Sequence, residues 1–234
     1  MIAEIYFNNQ KYKIDLDRPI DISIPIHPLG VVAWGLDRLK IVPVKNGEWE
    51  GDVSKGAAVN FNTISFNPHA HSTHTECVGH LSIKKESLNK ELKKYFFLSK
   101  LITIKPQKIN NDYVITKKNL QTLIKYNKNI DALIIRTLPN DNTKKKQDYS
   151  NTNPPFLSKE AAQYIVDINI KHLLIDVPSV DKEKDDGNLV AHKTFWQLPN
   201  HRNGCTITEL IYVPDNILDD LYFLNLQFAP FEND

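Results

Sequence analysis

At 234 residues with 41% hydrophobic content, the chain is long enough to bury one substantial core and reads as a single domain over residues 1–234. Its 29 lysines and arginines nearly balance 28 aspartates and glutamates, leaving a net charge of +1, which excludes the one-signed field that recruits nucleic acid or an anionic membrane. No run approaches the length of a bilayer span, and the opening residues lack a basic start followed by an apolar stretch, so a cytoplasmic protein with Cys77 and Cys205 reduced is expected.

The opening MIAEIYFNNQKYKID alternates apolar and polar residues about Asn8 and Asn9, the pattern of a β-hairpin. Residues 19–26, PIDISIPI, predict a short strand, with His27 and Trp34 in the loop that follows. Turn signals from Gly51 lead into a strand ending at Phe61. A lysine-rich helix is predicted over residues 87–95 and a strand over 101–104. Thr116 is placed to cap a helix running to about Tyr126, and DALIIRTL at 131–138 reads as a buried strand. Residues 139–155 form a long polar loop, either a substrate lid or a mobile stretch. Ser158 caps a helix to about Ile168, residues 172–177 give another buried strand, 200–204 a small loop, and 221–230 a last strand. Strands alternating with a few helices after an all-β start indicate an α/β or α+β class.

Between these elements, residues 66–81 read FNPHAHSTHTECVGHL and hold four of the eight histidines, His69, His71, His74 and His80, with Glu76 between the last two. Neutral imidazole and carboxylate are ligands for a borderline divalent cation. Four imidazoles beside an acid would repel one another if protonated and waste hydrogen-bonding capacity if buried alone. A strand, turn and strand are predicted here, from Val59-Asn60-Phe61 to Leu81-Ser82-Ile83. Residues two apart share a face of an extended chain, so His74, Glu76 and His80 can point one way, and His69 and His71 join them if the chain bends at Ser72. The pattern is not HExxH, which excludes the helical zinc-protease site. Isolated His27, His172 and His201 read as packing or surface residues, while Trp34 and Phe66 either wall a site for an aromatic substrate or belong to the core.

The segment HAHSTHTECVGH resembles the HxGTHxDxPxH signature of the metal-dependent cyclase family, which includes bacterial kynurenine formamidases and isatin hydrolase. Thr73 and His74 match its TH pair, Glu76 stands where the family has aspartate, and His80 matches the final histidine; His69, with His71 as runner-up, takes the first position. Ser72 replaces a glycine and Val78 a proline. Residues 19–26 resemble the family's DxSxPL opening, Arg136-Thr137 its strand end, and residues 175–181 its GIDxxSxD turn, after which His192 and Glu209 stand where the family supplies a histidine and a glutamate. The family continues beyond its last strand, so the C-terminus is expected to be shortened.

The resemblance implies an α/β fold with one mixed β/β/α barrel-like domain, assembled as a dimer or tetramer. It also implies one or two zinc or manganese ions held by His69, His74, Glu76, His80, His192 and Glu209, with His80, His192 and Glu209 also as catalytic acid or base. Such a site would use metal-activated water to cleave a C–N amide bond in a small molecule, most like an arylformamidase acting on N-formylkynurenine. Alternatives are a hydrolase of a cyclic amide or lactone, and a catalytically silent metal-binding protein on the same scaffold.

Overall fold

The computed structural model describes residues 1–7, 9–124 and 130–233. In chain order the elements are β1 (Ile2–Phe7), β2 (Gln10–Asp15), β3 (Lys40–Pro43), β4 (Lys45–Asn46), β5 (Trp49–Glu50), β6 (Asn62–Ser65), α1 (Pro68–His71), β7 (His74–Glu76), α2 (Leu88–Glu91), β8 (Phe96–Ile104), β9 (Gln107–Ile109), β10 (Asp112–Ile115), α3 (Lys117–Leu123), β11 (Ala132–Thr137), β12 (Phe156–Leu157), α4 (Lys159–Asp167), β13 (His172–Ile175), α5 (Val190–Phe195), β14 (Thr206–Glu209) and β15 (Leu221–Asn225).

The core is organised by ALIIRT in β11, buried at all six positions. A strand with no polar alternation must be covered on both faces, and β11 accordingly lies inside a six-stranded sheet of order β15-β8-β11-β13-β14-β7. The four strands from β8 to β14 are parallel, and β15 and β7 run antiparallel at the two edges. One face packs Leu133, Ile135, Leu173 and Ile175 against Ile165, Phe195 and Trp196, and the other packs Ile134 and Leu174 against Leu88 and Leu92. Both predicted helix caps are observed. Thr116 and Asn119 form a capping box at α3, and the Ser158 hydroxyl accepts from Ala161 N at 3.2 Å at α4. The opening hairpin pairs Ile2 with Asp15 through Phe7 with Gln10; Asn8 and the end of the predicted α3 near Tyr126 lie outside the described residues.

Several expectations are corrected. The sheet is open, and among the described residues no ladder joins β15 to β7, so the barrel-like closure is not observed. Residues 19–26 are extended but join no sheet: Pro19 and Pro25 lack the N–H a ladder needs, and the segment is held by single bonds, Ile24 N to Thr73 Oγ1 at 2.7 Å and Tyr212 N to Ile22 O at 2.8 Å. The strand placed at 51–61 begins only at Asn62, after a 3-10 turn at Val53–Lys55 capped by Asp52. No strand forms at residues 81–83, where Ile83 is fully exposed. The helix placed at 87–95 is a single turn, because the chain is already extended at Phe96 and enters the longest strand. The last strand ends at Asn225.

The polar 139–155 stretch is pinned to the sheet. Lys144 in a 3-10 turn donates to Thr137 O at 2.6 Å and to Asp176 Oδ2 at 2.7 Å, and Tyr149 N donates to Val32 O at 2.8 Å. Burial pushes the Asp176 carboxyl above its ordinary value, with Lys144 and Thr137 pulling the other way.

His172 opens β13 as a packing residue, as expected. Its ring lies 3.9 Å from that of Phe97, and Nδ1 meets Thr206 Oγ1 at 2.9 Å. Burial, with Lys171 and Arg202 nearby, lowers its pKa from 6.5 to about 4. A folded pKa below the unfolded one contributes stability that is present above the unfolded value and lost as pH falls through the folded one. Urea midpoints are therefore expected to fall between about pH 6.5 and 4, by up to about 3 kcal/mol in stability, and a His172→Gln chain to lack that component.

Candidate metal centre

The antiparallel pairing of β7 with β14 sets His74 opposite Glu209 and Glu76 opposite Ile207. Directly opposed residues share a face, as do alternate residues of one strand, so His74, Glu76 and Glu209 project together while Thr75 and Thr208 bond at 2.8 Å on the other face. His74 Nε2 lies 3.4 Å from Glu209 Oε2.

The remaining imidazoles arrive on turns. Pro68 begins α1, whose Asn67 cap accepts from His69 N at 3.0 Å, and this turn brings His69 Nδ1 to 3.4 Å from Glu76 Oε2. His71 points away: Nδ1 accepts from Asn67 N at 2.8 Å, and Nε2 donates to Asp37 O at 2.9 Å. Of the two alternatives for the first histidine, the structure brings His69 to the cluster. His80 does not follow an extended path as expected. A 3-10 turn at Val78–His80 carries it back, with Nδ1 at 3.6 Å from Glu76 Oε2. Its ring stacks on that of His69 at 4.5 Å.

From the distant part of the chain, α5 delivers His192, whose Nε2 lies 2.9 Å from Glu76 Oε1 and 3.6 Å from Glu209 Oε1. Asp181 orients it, accepting from its Nδ1 at 2.6 Å and from the backbone N–H groups of Ala191 and His192 at 2.6 and 3.0 Å. Glu209 Oε1 is steadied by Val180 N at 2.8 Å. Asp181 ends the 175–181 segment that resembles the family's turn but received no role of its own, and the irregular residues 182–189 that separate it from α5 carry no periodic signal that could have paired it with His192. Of the residues expected to line a substrate site, Trp34 donates its indole N–H to His69 O at 3.0 Å and is 38% exposed beside the cluster, while Phe66 is half-buried just after β6. His27 is exposed and accepts from Leu29 N, His201 lies 3.8 Å from Glu86, and neither belongs to a ligand group. Cys77 and Cys205 are buried thiols, and Cys77 donates to Glu86 O.

At His74, Glu76 and His192 burial opposes the charged form, yet mutual attraction wins. It pulls the His74 imidazole down, but Glu209 and Glu76 leave it above its ordinary value. It pulls His192 down, but the Glu76 charge and the Asp181 bond leave it well above. The Glu76 carboxyl, pushed up by burial, is held well below its usual range by His192, His69 and His80. Two fully buried atoms, His74 Nε2 and Glu76 Oε2, have no hydrogen-bond partner of good geometry. Polar atoms left so in an interior cost free energy unless something takes their lone pairs. Donor atoms of His69, His74 and Glu76 lie within 4.8 Å of one another, as do those of Glu76, His80 and His192. This set, all imidazole nitrogen and carboxylate oxygen, fits a divalent ion of the zinc or manganese kind.

Asp181→Asn keeps the shape but removes the negative charge and replaces one of two acceptor oxygens with an NH₂ donor, so the N–H groups of Ala191 and His192 and His192 Nδ1–H can no longer all be accepted. It is expected to weaken divalent-ion affinity by about 10- to 100-fold, read by competition with a chromogenic chelator.

Solved structures and a family model agree with this architecture. A comparison with curated proteins finds no match. Among solved structures, the chain is similar to a potential metal-dependent hydrolase with cyclase activity, at 19% identity and a TM-score of 0.58 over 87% of each chain. It is similar to isatin hydrolase A from Labrenzia aggregata bound to benzyl benzoate, at 13% identity and a TM-score of 0.59 over 100% of this chain and 89% of that one. A third is an isatin hydrolase bound to the product analogue thioisatinate, at 14% identity and a TM-score of 0.53 over 85% and 81%. At these identities the likeness is one of fold. The model of the Cyclase family, however, matches residues 20–182, from the extended segment before Ile24 through the histidine cluster to the residue after Asp181, and on that match the chain belongs to the cyclase family.

Proposed function

We propose that this chain is a metal-dependent hydrolase of C–N amide bonds, working as one domain and as a homo-oligomer. The observation that supports it best is a buried cluster of four imidazoles and two carboxylates in which His74 Nε2 and Glu76 Oε2 have only long contacts, 3.4 Å to Glu209 and to His69, and no well-formed hydrogen bond. One or two divalent cations, held by ligands drawn from His69, His74, Glu76, His80, His192 and Glu209 with a position left open for water, would supply Lewis acidity and lower the pKa of that water to about 7.

The chain's own groups divide the remaining work by exposure. His192, 2% exposed and clamped by Asp181, keeps one tautomer and holds a proton at Nδ1. The side chains of His69 and His80, 24% and 29% exposed, form the rim that a substrate reaches first. His80 is thus the imidazole positioned to hand a proton to the departing nitrogen, with His192 and Glu209 behind it. Trp34, anchored to His69 O, presents an apolar wall to an aromatic ring, and Phe66 is assigned the same role.

The substrate reading is an aryl formamide of the N-formylkynurenine kind. Similarity of fold to isatin hydrolases favours a second, a cyclic amide fused to an aromatic ring. The test is metal analysis of the purified protein together with initial rates on N-formylkynurenine, isatin and a small lactone, before and after chelation. Chelator-sensitive turnover of either aromatic amide is expected. Stoichiometric metal with no turnover of the panel would leave a metal-binding scaffold, and absence of metal would remove the site itself.

A further inference from the structure

A cavity of about 270 Å³ opens at the end of the sheet away from the histidine cluster. It lies where the parallel strands begin: Asp131 precedes β11, His172 opens β13, and Gly204 precedes β14. Glu209 stands three residues beyond Thr206 on the same strand, about 10 Å along it, so the two sites do not share side chains.

The walls are aromatic. Phe97 and the His172 ring are in contact at 3.9 Å, and Phe7 and Phe96 also line the space. His172 is 2% exposed and lines the cavity, and its Nδ1 is engaged by Thr206 Oγ1 at 2.9 Å, so Nε2 is its uncommitted ring nitrogen. A buried imidazole in the wall of such a hollow, with one nitrogen committed and one uncommitted, is suited to fix the orientation of a bound polar group. The mouth carries three ammonium groups, Lys93, Lys94 and Lys171, against two carboxylates, Glu91 and Asp131. Both carboxylates are engaged, Asp131 by Lys171 at 3.3 Å and Glu91 by Gly204 N at 3.2 Å, and Lys93 donates to Asn89 O at 2.9 Å. Lys94 supplies the surplus positive charge at the rim.

We propose that this cavity is a second small-molecule site, taking a planar aromatic ring that bears one carboxylate. The ring lies against Phe97 and Phe96, and the carboxylate meets His172 Nε2–H and Lys94. Its volume is that of a one-ring ligand, just below the range of drug-sized pockets.

Saturation-transfer NMR on the whole protein tests this with benzoate as the probe and benzylammonium as the charge control. Benzoate is expected to bind, and benzylammonium is not. Lys94→Glu and Phe96→Ala, both at exposed positions, are each expected to weaken benzoate binding by about fivefold or more. His74→Ala is expected to leave it unchanged. Absence of a benzoate signal at millimolar concentration, or equal binding by both cavity variants, overturns the proposal. So does loss of binding in His74→Ala, which would put the anion at the imidazole cluster.

Discussion

Glu76→Gln is expected to give a folded chain that keeps no stoichiometric divalent ion through dialysis and to slow the proposed amide hydrolysis on the order of 100- to 1,000-fold. The substitution preserves volume, so packing around this fully buried residue is undisturbed. What disappears is the negative charge shared by His69, His80 and His192 at 3.4, 3.6 and 2.9 Å, and with it a buried acceptor that has no well-formed hydrogen bond and invites a cation. Three imidazoles then face a neutral amide, whose NH₂ group is itself a donor and repels any ligand that needs lone pairs. His172→Ala is the control, since it removes an imidazole just as buried but at the far end of β13 and β14. It is expected to retain the ion at a cost in stability. Emission spectrometry of the two dialysed variants checks both statements, and equal loss of metal from the two would sink the ligand assignment.

The second large effect is expected from Gly79→Ala. A Cβ at this position would stand 1.8 Å from the carbonyl oxygen of Glu86 and 2.8 Å from its carbon, an approach no real side chain makes. The obstacle is backbone, so it cannot swing aside as a flexible side chain would. The 3-10 turn at Val78–His80 or the 82–86 loop must move. Overpacking of this kind costs about 1–3 kcal/mol, and a backbone collision belongs at the upper end. Because His80 is the last residue of that turn, its Nδ1 cannot then keep its place beside Glu76. A lowered denaturant midpoint accompanied by weaker metal binding is the expected pair of results. A variant as stable as the parent would mean that the turn and loop are not packed as described.

Much of the framework was legible because the signals are local. The apolar run in β11, the Thr116 and Ser158 caps and the alternation in the opening hairpin each depend on a few neighbouring residues, and each is observed. Misreadings arose where a neighbour outside the window decided the outcome. Residues 19–26 look like a strand, but their prolines deny them a ladder, and Thr73 and Tyr212 hold them instead. The 139–155 stretch looks like free polar loop, yet one lysine within it finds a buried carboxylate on β13's continuation at Asp176. The absence of closure between β7 and β15 was likewise invisible, since it is a property of sheet order and not of any strand.

What the sequence by itself determined about this protein was the chemistry of one contiguous segment, where four imidazoles and a carboxylate within sixteen residues already implied a cation, together with the resemblance that pointed onward to His192 and Glu209. Only the tertiary structure decided which of those groups meet. It turned His71 to the backbone and His69 to the cluster, folded His80 back by a 3-10 turn, and brought Asp181 behind His192. The physical reason is that ligand geometry depends on side-chain direction and on pairings between residues more than a hundred positions apart, such as His74 with Glu209. Those are set by sheet register and turn type, which no local pattern of residues encodes.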